Sequence, residues 1–178
     1  MNINQKSAAF TGHRLSKLPL ALQKEKRHLL INALSSAVNE LYNDGYTVFY
    51  SGMCTGVDLW GARCVLEFKN THPDVKLVFA IPFEGHSAAL NGEEKALYDS
   101  IVKNADSVVV LRGRLPYSER ARAFNQRNYY MVKNSDALIA VFDRSKNEKS
   151  GTANTVKMAY EKGIRIIFID PESLASIT

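Results

Sequence analysis

No apolar run in this 178-residue chain approaches the roughly 20 residues that a membrane helix needs. Met1-Asn2-Ile3-Asn4-Gln5-Lys6 also lacks the apolar core of a signal peptide. The two absences lead us to expect a soluble, cytoplasmic protein with no membrane insertion. Cysteine is scarce: Cys54 and Cys64 are the only two, with no Cys-x-x-Cys pair and no close pair of histidines. No metal site is therefore expected, and both thiols should be free. Repeats and low-complexity segments are missing too. Charge of one sign is only slightly in excess, at +5, which bears on solubility before it bears on partners. What is present is globular in composition, 46% hydrophobic and 23% charged, and long enough for one domain over residues 1–178 with a continuous core.

Apolar stretches of two kinds alternate along the chain. Ser7 to Thr11, Tyr46 to Tyr50, Val75 to Ile81, Asp106 to Leu111, Asp136 to Phe142 and Ile164 to Ile169 are short, apolar and bounded by turn residues, which predicts six strands. Between them, Leu20 to Asn43, Leu59 to Lys69, Asn91 to Asn104, Glu119 to Asn134 and Ser150 to Lys162 carry helical spacing, with Asp44-Gly45 and Gly163 as C-terminal stops. Arg144 to Lys149 reads as a charged loop, and Pro171 as the close of the fold. Strict alternation predicts an α/β, Rossmann-like domain: a mostly parallel sheet with helices on both faces.

The chain is organised around Ser51-Gly52-Met53-Cys54-Thr55-Gly56-Val57-Asp58, which follows the strand ending Val48-Phe49-Tyr50 and opens a helix. Glycines at 52 and 56 would let backbone N–H groups approach an anion closely, and Thr55 or Asp58 would cap the new helix. Two further strand ends carry similar groups: Gly12-His13-Arg14 after the first strand and Ser150-Gly151-Thr152 after the fifth. A parallel sheet brings such carboxyl ends to one rim, where ligands bind. From Arg112 to Lys133 six basic side chains face one acid, Glu119, with Tyr117, Phe124, Tyr129 and Tyr130 interleaved. That run is either a phosphate-facing surface or an ordinary amphipathic helix with Phe124 and Tyr130 in the core.

With these residues in place, the chain resembles the YpsA-like branch of the SLOG superfamily, which contains the DNA-processing protein DprA and the LOG cytokinin-activating enzymes. Four motifs carry the resemblance: Thr11-Gly12-His13-Arg14, Ser51-Gly52 with Gly56-Val57-Asp58 and Ala62, Arg127-Asn128 with Met131, and Ser150-Gly151-Thr152. The resemblance implies a pocket for a nucleotide or a nucleotide-derived ligand. LOG-type enzymes carry Gly-Gly-x-Gly-Thr-x-x-Glu, whose glutamate acts on the ribosyl bond. The matching stretch here is Lys149-Ser150-Gly151-Thr152-Ala153-Asn154-Thr155, so Thr155 stands where the glutamate would be and the LOG reaction does not carry over.

The expected ligand-binding set is Gly12, His13, Arg14, Ser51, Gly52, Gly56, Asp58, Arg127, Asn128, Ser150, Gly151 and Thr152. Arg14 is expected to pair with a phosphate, and Asp58 to cap its helix or take ribose hydroxyls. If chemistry occurs, His13, Asp58, Glu84 and Asp143 are the candidates, His13 because histidine titrates near neutral pH. The sequence identifies no cofactor and leaves catalysis open. It supports a nucleotide-binding or nucleotide-sensing protein first, a hydrolase of a nucleotide or its sugar or phosphate bond second, and a DprA-like single-stranded DNA binder third. A homo-oligomer is compatible with each.

Overall fold

Continuous apolar runs become strands buried on both faces, and runs with 3.6-residue spacing become the helices that cover them. The computed structural model describes residues 5–19, 24–145 and 149–177. Six strands run parallel: β1 (Lys6–Gly12), β2 (Tyr46–Ser51), β3 (Lys76–Ile81), β4 (Ser107–Val110), β5 (Ala137–Val141) and β6 (Arg165–Ile169). A short β7 (Ser176–Ile177) pairs antiparallel with β6. The sheet order is β4-β3-β2-β1-β5-β6-β7. The helices are α1 (Arg27–Asn43), α2 (Val57–Lys69), α3 (Gly92–Val102), α4 (Tyr117–Lys133) and α5 (Gly151–Lys162). The mostly parallel, Rossmann-like arrangement expected from the alternation is the one observed.

Alternation along each strand divides the core in two. Phe10, Phe49, Leu77, Phe79 and Ile139 pack with α1, α2 and α3 on one face, while Ala9, Ala80, Leu138 and Ala140 meet Met131 and Val132 of α4 and Val156 and Ala159 of α5 on the other. The chain winds outward from β1 to β4 and then returns to place β5 beside β1. The carboxyl ends of β1 and β5 therefore diverge into loops on opposite faces, and a crevice opens between them. That crevice holds the site.

Boundaries differ from expectation at a few ends. The helix expected from Leu20 is regular from Arg27; residues 20–23 lie outside the described residues, as do 146–148 of the charged loop. Pro171 does not close the fold. The Asp170 carboxylate accepts the N–H groups of Glu172 (3.0 Å) and Ser173 (2.7 Å), turning the chain so that β7 can add to the sheet. A two-residue strand is too short to leave a periodic signal.

Candidate functional site

The crevice is a pocket of about 270 Å³. The end of β1 supplies Thr11, Gly12, His13 and Arg14, and the 3-10 turn Leu15–Lys17 adds Lys17. Cys54 and Asp58 come from the turn into α2, and Ser150, Gly151 and Thr152 from the start of α5. Helix α4 forms the remaining wall through Phe124, Arg127, Asn128 and Met131, which share one face at i, i+3, i+4 and i+7. Of the twelve residues expected at a ligand, nine line this pocket; Ser51, Gly52 and Gly56 do not.

Those three explain how the floor is built. The Asp58 carboxylate accepts a hydrogen bond from Arg127 Nη1 at 2.8 Å, and both residues are buried, Arg127 to 5% exposure and Asp58 to 6%. A Cβ on Gly52 would lie 1.0 Å from that same Nη1, so the glycine is required by the guanidinium. Expected to clear a path for a ligand anion, Gly52 clears one for Arg127. Gly56 has φ +84, and a Cβ there would stand 2.7 Å from the His13 carbonyl oxygen, so it allows the β1 loop to lie against the start of α2. Ser51 Oγ donates to the Asp58 carbonyl at 2.8 Å and accepts from Met53 N. Asp58 does not cap α2 either: the N-cap is Gly56, with no side-chain bond, and the Asp58 carboxylate reaches back to Cys54 N at 3.3 Å. Its position in the first turn is nonetheless favoured by the helix dipole.

Arg127 makes a second contact, Nη2 to Cys54 Sγ at 3.3 Å, while its buried Nε has no partner among the described residues. Burial pushes the Cys54 thiol up, outweighing the opposite pull of Arg127. Burial alone would lower Arg127, but the neighbouring Cys54 sulfur and the Asp58 carboxylate raise it, so the guanidinium remains cationic.

At the opposite wall, Ser150 caps α5 by accepting from Ala153 N at 3.1 Å, and the intrahelical ladder begins with Asn154 N to Ser150 O at 3.0 Å. The helix itself provides no acceptor for the Gly151 and Thr152 N–H groups. Among the described residues the space in front of Gly151 is open: the nearest atom to an ideal Cβ is Asn128 Nδ2, at 4.0 Å. Thr155, in the place of the LOG-type glutamate, is fully buried and donates its hydroxyl to the Gly151 carbonyl at 2.7 Å.

The other expected residues lie apart. Glu84 is exposed and outside the pocket. Asp143 binds its own loop, accepting from Ser145 N (2.9 Å) and Oγ (2.6 Å), beside a separate hollow with Arg144 and Asp170. Among the described residues no three His, Cys, Asp or Glu gather to hold a metal ion. Within the basic run only Arg127 turns inward to the pocket; Arg112, Arg114, Arg120 and Arg122 are exposed. Tyr130 packs against Tyr50 as the amphipathic reading of α4 expected, but Phe124 faces the pocket. The site also recruits Lys17, Cys54, Phe124 and Asn125, which the four motifs did not single out; the i, i+3, i+4, i+7 spacing from Phe124 to Met131 was the available signal for Phe124.

One further residue supports the floor. His86 opens the 3-10 turn His86–Ala89, is buried, and its Nε2 donates to the Met53 carbonyl at 3.2 Å. Met53 holds φ 56, unusual for a side-chain-bearing residue, at the point where the chain bends toward Cys54. Burial, more than the nearby Arg127, lowers the His86 pKa to about 4. No helix of the described residues is long and apolar enough to cross a membrane.

Comparison with known proteins finds relatives along most of the chain. A UPF0398 protein of Bacillus pumilus (strain SAFR-032) is 32% identical over 140 residues, covering 78% of this chain and 74% of that protein. A UPF0398 protein of Halalkalibacterium halodurans is 28% identical over 142 residues, covering 79% and 74%. The SPbeta prophage-derived protein YoqJ of Bacillus subtilis (strain 168) is 29% identical over 119 residues, covering 62% and 68%. The pattern of the YspA SLOG family matches residues 8–174, from inside β1 to the turn before β7 and through every wall of the pocket, and the chain belongs to that family.

Proposed function

We propose that the chain binds a nucleotide or nucleotide derivative in the crevice between the ends of β1 and β5, with a phosphate at the start of α5. The observation that carries this reading is the open space before Gly151, at a helix N-terminus whose first N–H groups have no intrahelical acceptor. His13 and Lys17 add positive or hydrogen-bonding groups from the β1 side, and Asn128 Nδ2 points toward the same end of α5, 3.5 Å from the Gly151 carbonyl. Binding or sensing is favoured over hydrolysis because the acids that might do chemistry are committed elsewhere. Asp58 is paired with Arg127, Asp143 with its own loop, Glu84 lies outside, and Thr155 is hydrogen-bonded to backbone. His13 is the one candidate for proton transfer at the pocket.

The test is a thermal-shift panel of nucleotides, ADP-ribose and dinucleotides with product analysis in parallel, on the wild type and Gly151→Leu. A ligand present at a hundred times its Kd stabilises the fold by about 2.7 kcal/mol. For a chain of this size that raises Tm by roughly 5–10 °C. Gly151→Leu should leave the unliganded Tm within about 2 °C, because its Cβ meets no atom of the described residues closer than 4.0 Å, and should abolish the shift. Absence of a shift with every ligand, or an undiminished shift in Gly151→Leu, refutes the reading. Product release assigns the protein to the hydrolase reading.

A further inference from the structure

We propose that the base of the bound nucleotide stacks on Phe124, beneath the guanidinium of Arg14. The inference rests on the nucleotide reading above and adds which wall recognises the base.

Phe124 is half-buried on the face of α4 that lines the pocket. Its ring is fixed by edge-to-face contacts with Phe83, centroids 5.7 Å apart at 76°, and with His86, 6.5 Å at 71°. Over the ring lies the Arg14 guanidinium, its Cζ 4.5 Å from the centroid. A flat delocalised cation already uses this face, and a flat heterocycle has the same requirement. Phosphate gains nothing from a phenyl ring, so an aromatic wall set one helical turn from the phosphate site calls for a ligand with an aromatic part of its own.

Arg14 is exposed, on the short loop between β1 and the 3-10 turn, so it can lift while Phe124 stays in place. A base entering between them needs the guanidinium to rise by about 3.5 Å, one van der Waals layer. It then has a ring below and a cation above. Phe124 and Asn128 stand one helical turn apart, about 5–6 Å between Cβ atoms. Asn128 lies beside Gly151, so the interval from stacking ring to phosphate site is one a ribose spans. In this arrangement Arg14 acts on the base, and the phosphate is left to α5.

Isothermal titration of the full chain with AMP and with ribose 5-phosphate separates the two parts of the ligand. The wild type should bind AMP more tightly. Phe124→Leu should weaken AMP by roughly tenfold to a hundredfold, the range for loss of one base–aromatic stack, and leave ribose 5-phosphate within about twofold. Phe124→Trp should retain AMP affinity. Arg14→Lys, a surface change that keeps the charge and removes the plane, should weaken AMP alone, and it decides the matter if Phe124→Leu does not fold. Ribose 5-phosphate binding as tightly as AMP, or equal losses for both probes in Phe124→Leu, overturns the stacking site while sparing the phosphate site. If neither probe binds, the stacking site falls, while the nucleotide reading stands or falls by the thermal-shift panel.

Discussion

Replacing Gly52 by alanine should destabilise this protein about as much as deleting Arg127, although the backbone at 52 would accept a side chain. The new methyl would sit 1.0 Å from Arg127 Nη1, 2.2 Å from Cζ and 2.7 Å from Asp58 Oδ2, so the guanidinium must leave. Its bond to Asp58 is 2.8 Å long and joins two groups that are almost wholly buried. Separating such a pair leaves a buried charge without its partner, at a cost of about 3–5 kcal/mol. With a urea m value of about 2 kcal/mol per molar, the midpoint should fall by roughly 2 M. Arg127→Ala should fall by a similar amount for the same reason. The decisive measurement is the double variant. If both substitutions act through this one ion pair, Gly52→Ala/Arg127→Ala should be no less stable than Arg127→Ala, since the methyl enters space the guanidinium has vacated. Independent effects would instead sum to roughly 6–10 kcal/mol, enough to unfold a domain of ordinary stability. Urea unfolding of all four proteins, followed by circular dichroism, gives the coupling directly, and additive losses would refute the reasoning.

His86 should make stability fall in acid. Its folded-state pKa, about 4, lies below the ordinary 6.5, so the unfolded chain takes the proton more readily. Stability present above pH 6.5 is therefore lost as pH falls toward 4, by roughly 3 kcal/mol. His86→Gln can keep a donor for the Met53 carbonyl but cannot titrate, so urea midpoints between pH 7 and 4 should fall less in the variant; parallel curves would contradict the assignment. Arg120→Ala/Arg122→Ala should leave nucleotide binding within about twofold, because neither side chain lines the pocket. In fluorescence anisotropy with single-stranded DNA, tight binding whose salt slope drops by about 0.7 for each lost contact in that variant would transfer the function to the basic run.

The local pattern was legible because local forces set it. β1 and β5 read as unbroken apolar runs and are buried on both faces, and α5 lies between its caps Ser150 and Gly163, φ 73, where capping chemistry put it. Motifs at strand ends converged because any parallel sheet delivers its carboxyl ends to one rim. Partnership was not legible. The Asp near the start of α2 looked like a cap until the fold brought Arg127, 69 residues away, to its carboxylate, and Gly52 looked like a cradle for an anion until that same arginine filled the space. The valine-rich run Asp106 to Leu111 gave a strand but not its place in the sheet: Val108 and Val110 are 45% and 47% exposed, because sheet order left β4 at an edge. Phe124 fitted a core position by its spacing, and only the packing of α4 beside the β1–β5 crevice turned it toward the pocket. Spacing along a chain fixes which face a residue occupies, but what that face meets depends on strand order and helix placement, which only the packing of distant segments decides.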